Sequence, residues 1–244
     1  MKTLAIFAQC ILLVTLLVSP AFAFSVPEKL LYDVSWSGIK VGTSVLEVTA
    51  QGDELRIVNT IRSSGLMSAF FSIDDKTESI ISTEPARRGT PSFYRENIKE
   101  GKYRARKKVS FNFTTLVAES SDLLNNTQKS DPIGARTYDS LSSIYFIRSS
   151  ELALGQSIFF DIYDIKHLWN TEVRVVKREE IRTPVGKFKT LVVTSQLRFN
   201  GVSARVGNAT FWLTDDNRRI PVRIITKLKK GELTLTLVAG NYWR

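Results

Sequence analysis

An all-β fold, a large curved antiparallel sheet or open barrel-like meander with one or two short helices, is what this sequence predicts. Three observations predict it. Short runs alternate apolar and polar residues with period two, nearly every connection between them is hairpin-short and carries Gly, Asn or Asp, and only two stretches break the alternation. Connections that short join antiparallel neighbours, so the runs form a meander.

The first segment stands outside that fold. Met1 and Lys2 precede the apolar run "TLAIFAQCILLVTLLVS", then Pro20 and the small-residue site "AFA" ending at Ala23. This is the form of a secretory signal peptide, residues 1–23, cleaved after Ala23. An uncleaved anchor is the competing reading, since Thr3 to Ser19 nearly spans a bilayer, but Pro20 and the Ala-Phe-Ala spacing argue for cleavage. A lipid-anchored start fits poorly, because Gln9 stands before Cys10 where a small residue is wanted. Cys10 is the single cysteine of the 244 residues, so the mature chain has none. Disulfide scaffolds, thiol catalysis and cysteine-ligated zinc are excluded, and a bacterial periplasm suits a thiol-free exported chain better than animal secretion.

The strands follow in order. In "YDVSW", Tyr32, Val34 and Trp36 alternate with Asp33 and Ser35; "SGIKVG" turns the chain into "SVLEV", and "QGDE" turns it again into "LRIVNTI". "SFYRENI", the turn "KEGK" and "YRARKKVSFNF" come next, then "QSIFFDIY", "EVRVVKREEI", "FKTLVVTSQLRF", "ATFWLT", "IPVRIITKL" and "ELTLTLVAGNYW". About a dozen strands result. The breaks are "SSGLMSAFFS" at 63–72, a short apolar helical turn, and "TYDSLSSIYFIRSS" at 137–150. There Asp139 or Ser140 can cap a helix with Leu141, Ile144, Tyr145 and Arg148 on one face. "DPIGAR" is too short for a free linker, so residues 24–244 read as a single β-rich domain with a helical insertion around 137–150, large enough to fold on its core alone.

Charge narrows the partners. The formal net charge is +10, of which Lys2 leaves with the signal peptide. Export separates the chain from nucleic acid, and no nucleic-acid motif is present, so the anionic partners within reach are envelope lipids and acidic glycans. In "KYRARKKVSFNF", Arg104, Arg106 and Lys108 share one face and Val109, Phe111 and Phe113 the other. That is either the solvated side of an amphipathic strand or a basic stripe that meets anionic headgroups at about 1 kcal/mol per residue. Arg148 at the helix C-terminus either reaches solvent along its stem or stands at the rim of the sheet's concavity to pair with a ligand acid. Trp36, Trp169, Trp212 and Trp243 read as core or sheet-edge aromatics rather than sugar platforms.

Catalytic readings find little. "FWLTDDNRRIPVRI" sets Asp215 and Asp216 against Arg218 and Arg219, but Asp and Asn between two apolar strands mark a hairpin tip, where nothing desolvates a carboxylate. One histidine, His167, lies in the turn-like "DIKHLWN" with Asp161 and Asp164 nearby, too few ligands for a metal site. No Gly-x-Ser-x-Gly elbow and no phosphate loop occurs, so no cofactor and no catalytic residue is assigned. Paired carboxylates from distant strands leave no local signature and stay open. An integral outer-membrane barrel is disfavoured, since "YRARKKVSF" and "VRVVKREEI" interleave charge too densely for a lipid-facing wall.

Six segments together carry a resemblance: "EKLLYDVSWSGIKVGTSVLEV", "GLMSAFFSIDDKTES", "IKEGKYRARKKVSFNF", "YDSLSSIYFIRS", "RTPVGKFKTLVV" and "FWLTDDNRRIPVRI". In order and spacing, from about Glu28 to Trp243, the chain resembles the bacterial domain-of-unknown-function family 3108. The resemblance implies an exported envelope protein of a Gram-negative bacterium with an all-β fold, and no established activity or catalytic residue. The expectation is therefore a periplasmic binding protein for an amphiphilic or anionic envelope component, a lipid or glycan. Arg104, Arg106, Lys108 and Arg148 are its candidate binding residues. An envelope hydrolase with dispersed carboxylates is the alternative, and a protein–protein scaffold the third reading.

Overall fold

The computed structural model describes residues 24–65, 68, 71–204 and 207–242. The expected signal peptide, positions 66, 67, 69 and 70 of the helical turn expected at 63–72, and Trp243 lie outside the described residues. Sixteen strands share one sheet. The first eight are β1 (Glu28–Trp36), β2 (Ile39–Gln51), β3 (Glu54–Ser63), β4 (Asp74–Ser82), β5 (Pro91–Glu100), β6 (Tyr103–Asn112), β7 (Val117–Asp122) and β8 (Thr127–Pro132). A two-residue β9 (Thr137–Tyr138) leads into the helix α1 (Ser140–Ser149). Then follow β10 (Ser157–Tyr163), β11 (Leu168–Thr183), β12 (Gly186–Phe199), β13 (Val202–Ser203), β14 (Ala209–Thr214), β15 (Pro221–Lys227) and β16 (Glu232–Gly240).

Two antiparallel meanders meet where the first strand pairs with the last, β1 against β16, giving the order β8 to β1, then β16, β15, β14, β12, β11, β10, β9. Bulges at Val238 of β16, Ser92 of β5, Val176 of β11 and Val222 of β15 add local twist and curl the sheet. Consecutive strands β8 and β9 are thereby the two free edges. The "DPIGAR" stretch, read from the sequence as too short for a free linker, is the crossing from one edge to the other. The sheet stays open along that seam, and the β10 hydroxyl of Tyr163 spans it by donating to Asp131 Oδ2 of β8 at 2.6 Å.

Helix α1 fills the concavity, which is why the chain breaks its alternation there. Asp139 caps it as expected, accepting from the backbone of Leu141 (2.8 Å) and Ser142 (2.9 Å), while Ser142 Oγ accepts from the Asp139 backbone at 2.9 Å. The cap also ties helix to sheet, since Ser79 of β4 donates to Asp139 Oδ2 at 2.6 Å. Sheet covers the helix on more than one side, so Leu141, Ser142, Ser143, Tyr145, Ile147 and Arg148 are all buried.

Arg148 therefore sits neither in solvent nor at a rim, contrary to both sequence readings; it is 1% exposed. Its guanidinium donates from both terminal nitrogens to Glu28 of β1, each at 2.7 Å, and again to the Arg218 carbonyl at 3.1 Å. Tyr145 (2.9 Å) and Tyr242 (2.6 Å) donate to the same carboxylate, and the Phe24 and Tyr145 rings lie 5.1 and 4.9 Å from the guanidinium carbon. Burial alone would raise the Glu28 pKa, but the Arg148 bonds and charge, with the two tyrosines, hold it below the usual carboxylate range.

The reading of "TDDNRR" as a turn holds. Asp216 Oδ1 accepts from the backbone of Arg218 (3.0 Å) and Arg219 (3.2 Å) and from Thr214 Oγ1 (2.7 Å), closing the β14–β15 hairpin. That hairpin is what presents the Arg218 carbonyl to Arg148.

Removing one member of the pair strands a buried charge, so Arg148→Met is expected to lower unfolding stability by about 3 kcal/mol or more in urea titrations, whereas Glu28→Leu with Arg148→Met together recovers much of the loss. Because the Glu28 pKa is depressed in the folded state, its contribution is present above its unfolded pKa of about 4.3 and fades as pH falls below it. A Glu28→Gln chain should lack that acid-limb dependence.

Candidate ligand cavity

A cavity of about 540 Å³ opens at one end of the concave face. Period-two alternation aims Val34 and Trp36 of β1, Ile61 of β3 and Leu233 of β16 into it. The bulge between β1 and β2, where Val34 faces Gly42 and Ser35 faces Lys40, leaves Val41 over and turns its side chain inward. Gly42 is needed beside it: a Cβ there would lie 2.3 Å from the Arg62 carbonyl oxygen of β3. Phe71 and Leu228 complete the mouth.

Two further glycines shape the entrance. Gly101, at φ +53, passes under the Phe71 ring, where a Cβ would come within 2.7 Å of it; Gly231, at φ +81, passes under Trp36. The Trp36 indole donates to the Lys230 carbonyl at 2.9 Å, so its ring is fixed across the opening.

Two acids interrupt the apolar wall. Asp75 of β4 and Glu100 of β5 point inward, and Asp75 Oδ1 accepts from the Lys99 backbone at 2.8 Å. Burial, then a hydrogen bond and charge repulsion from Asp75, raise the Glu100 pKa. Such a pair holds a proton between its members at a pH where a free glutamate has lost it. The site can thus enclose an apolar body and offer hydrogen bonds and negative charge to a donor or ammonium group.

The expected basic stripe lies elsewhere. Arg104, Arg106 and Lys108 project from β6 on the exposed convex face, opposite Lys99, Asn97 and Arg95 of β5. Glu78 on that face is held by Arg56 and Arg95, both at 2.6 Å, and the Arg104 guanidinium folds back on the Gly101 and Tyr103 carbonyls at 2.7 Å each. Among the described residues Arg106 and Lys108 form no ion pair. The fourth candidate, Arg148, is inside the fold. His167 is half-buried in the β10–β11 turn against the Trp169 and Phe199 rings, at 5.2 and 4.7 Å.

Sequence reasoning missed Asp75 and Glu100. The usable signal was an acid in phase with an apolar or small inward row, Asp75 with Thr77, Ser79 and Ile81, and Glu100 with Tyr94 and Ile98. Neighbouring Asp74 points outward to Arg62 and Lys99 and makes the doublet look like surface.

The model of a family described as a protein of unknown function (DUF3108) matches residues 31–238. The chain is similar to a solved β-barrel-like protein of domain of unknown function DUF1849 from Brucella abortus, at 12% identity with a TM-score of 0.62, over 89% of this chain and 98% of that one. It is also similar to an exported protein with a YmcC-like fold from Bacteroides fragilis (8% identity, TM-score 0.35, 90% and 98% covered). A lipoprotein from Parabacteroides distasonis gives 12% identity, a TM-score of 0.36, and the same coverage. No curated protein matches the chain. The Brucella likeness shows a shared fold.

In carboxyl-resolved NMR titrations Glu100 is expected to titrate above the usual glutamate value of about 4.3. Asp75→Asn should lower that midpoint without restoring it, since burial, the largest cause, remains. An ordinary midpoint in the unaltered chain would dissolve the pair. A raised folded pKa also means that the stability tied to this proton is present at low pH and lost as pH rises through the midpoint.

Proposed function

The chain belongs to the DUF3108 family of proteins of unknown function, and on that premise we propose that it is an exported envelope protein that holds an amphiphilic molecule in the cavity at the open end of its barrel. The observation that carries the reading is the cavity itself: about 540 Å³, mostly apolar, with its two carboxyl groups at one place. Pockets of about 300–1,000 Å³ with apolar walls and a few convergent polar groups are the usual form of small-molecule sites. The leader-like start of the chain supports an envelope location.

The polar groups narrow the ligand. A carboxylate or phosphate pushed against Asp75 would meet like charge in a partly desolvated site, whereas an ammonium or a hydroxyl would meet complementary groups. The cavity therefore suits an amphiphile whose buried end is a hydrogen-bond donor or cation. The Arg104, Arg106 and Lys108 stripe is on the opposite face of the sheet and does not reach this ligand.

A hydrolase is the second reading, favoured by one specific observation, two adjacent carboxyl groups, Asp75 and Glu100, with the Glu100 pKa raised by burial and by its neighbour. That arrangement serves glycosidic cleavage in other folds, but walls such as Val34, Val41, Ile61 and Leu233 offer a sugar ring no hydrogen bonds.

Native mass spectrometry after detergent-free purification tests the reading, with a long-chain alkylamine and the fatty acid of equal length as probes. The alkylamine is expected to bind at one per chain and more tightly than the acid. Ile61→Trp, which fills the cavity, and Asp75→Asn with Glu100→Gln should each weaken it by about tenfold or more. Equal binding of both probes, or no effect of filling the cavity, would refute the proposal.

A further inference from the structure

Fourteen large hydrophobic side chains are exposed among the described residues. They are unevenly placed. Nine stand in or beside the turns at the cavity end of the sheet: Trp36 and Ile39 at the β1–β2 turn, Phe71 before β4 and Tyr103 at β5–β6. Leu123 and Leu124 follow at β7–β8, Phe199 and Val202 at β12–β13, and Leu228 at β15–β16. Val26, Leu116 and Leu154 are at the other end, and Phe159 and Val176 lie on the wall. Ile39 is 66% exposed and Val202 71%, so these are not core residues grazing the surface.

Turns at this end also carry lysines, all exposed: Lys40 at β1–β2, Lys102 at β5–β6, Lys166 at β10–β11, and Lys229 and Lys230 at β15–β16. Lys40 pairs with Asp33, while Glu100, Asp164 and Glu232 are the acids close in sequence to the others. Six separate connections, each raising one or two apolar side chains and three of them also carrying lysines, make a discontinuous ring rather than one contiguous patch. A folded protein partner would bury a contiguous patch; a fluid bilayer surface accepts scattered insertions, with aromatics at the headgroup level and lysines on anionic lipid. Contact stops at the rim, because the convex wall bears Arg56, Glu78, Arg95, Arg106 and Lys108, which hydrocarbon would not accept.

We propose that the cavity end of the barrel docks on the surface of an anionic lipid bilayer, inserting the apolar tips of its turns. The cavity mouth then faces the membrane, with Trp36, Phe71 and Leu228 belonging to both the rim and the opening. Docking is independent of what the cavity holds, and the experiment separates the two.

The mature chain is floated with large unilamellar vesicles of phosphatidylcholine alone and of phosphatidylcholine with phosphatidylglycerol. It should bind the anionic vesicles, less so as salt rises. The triple variant Ile39→Ser, Tyr103→Ser, Val202→Ser touches no cavity-lining residue and should bind the vesicles about tenfold more weakly or worse, with alkylamine binding in solution unchanged. The wall control, Phe159→Ser with Val176→Ser, should bind the vesicles like the unaltered chain. No vesicle binding by the unaltered chain, or equal loss in the wall control, overturns the proposal. So does full binding by the rim variant with loss in Arg104→Gln, Arg106→Gln, Lys108→Gln, which would place the contact on the wall. Loss of alkylamine binding with vesicle binding intact would sink the cavity reading alone.

Discussion

The ion pair between Glu28 and Arg148 is the constraint on which the architecture turns. Two charges withdrawn from water are costly unless every polar atom around them is answered, and here the answers come from all over the chain. The carboxylate is on the first strand, the guanidinium on the central helix, one tyrosine on that helix and another after the last strand, and a carbonyl on the β14–β15 turn. None of these segments can leave without exposing the others' charge. The pair thus ties the helix at once to the first strand, to the β14–β15 turn and to the segment after the last strand.

The sheet can remain open for the same reason. Its edges β8 and β9 do not pair, and in a free sheet they would be templates for another chain. The helix occupies the concavity, and Tyr163 with Asp131 spans the seam. Closure by side chains and a plug, rather than by a backbone ladder, leaves one end of the concavity unfilled by the helix. That unfilled end is the cavity.

The fold was largely legible in the sequence because period-two alternation is a direct record of burial on one face, and short Gly- and Asn-bearing turns admit one kind of pairing. "TDDNRR" was legible for the same reason, as turn chemistry is local. Arg148 was not. Its position on the Leu141–Tyr145 face was correct, but helical periodicity cannot tell a helix covered on one side from one enclosed by a sheet, and the partner that permits its burial lies 120 residues away. Asp75 and Glu100 were illegible for a related reason: each is unremarkable alone, and the hydrogen-bonded pairing of β4 with β5, next to the Ile73–Glu100 bridge, makes them neighbours.

The distribution of charge gives the site its sense. Positive residues dominate the convex wall and the turns, whereas the acids Asp75 and Glu100 are turned inward among apolar walls. Field from the outer lysines and arginines is weakened by water, while the inner carboxyls act through a medium that screens them less. A basic exported chain can therefore be drawn to an anionic surface by its outside and still prefer a donor or cationic group inside. The two preferences do not compete, because the sheet separates the groups that express them, and the open end is where they meet.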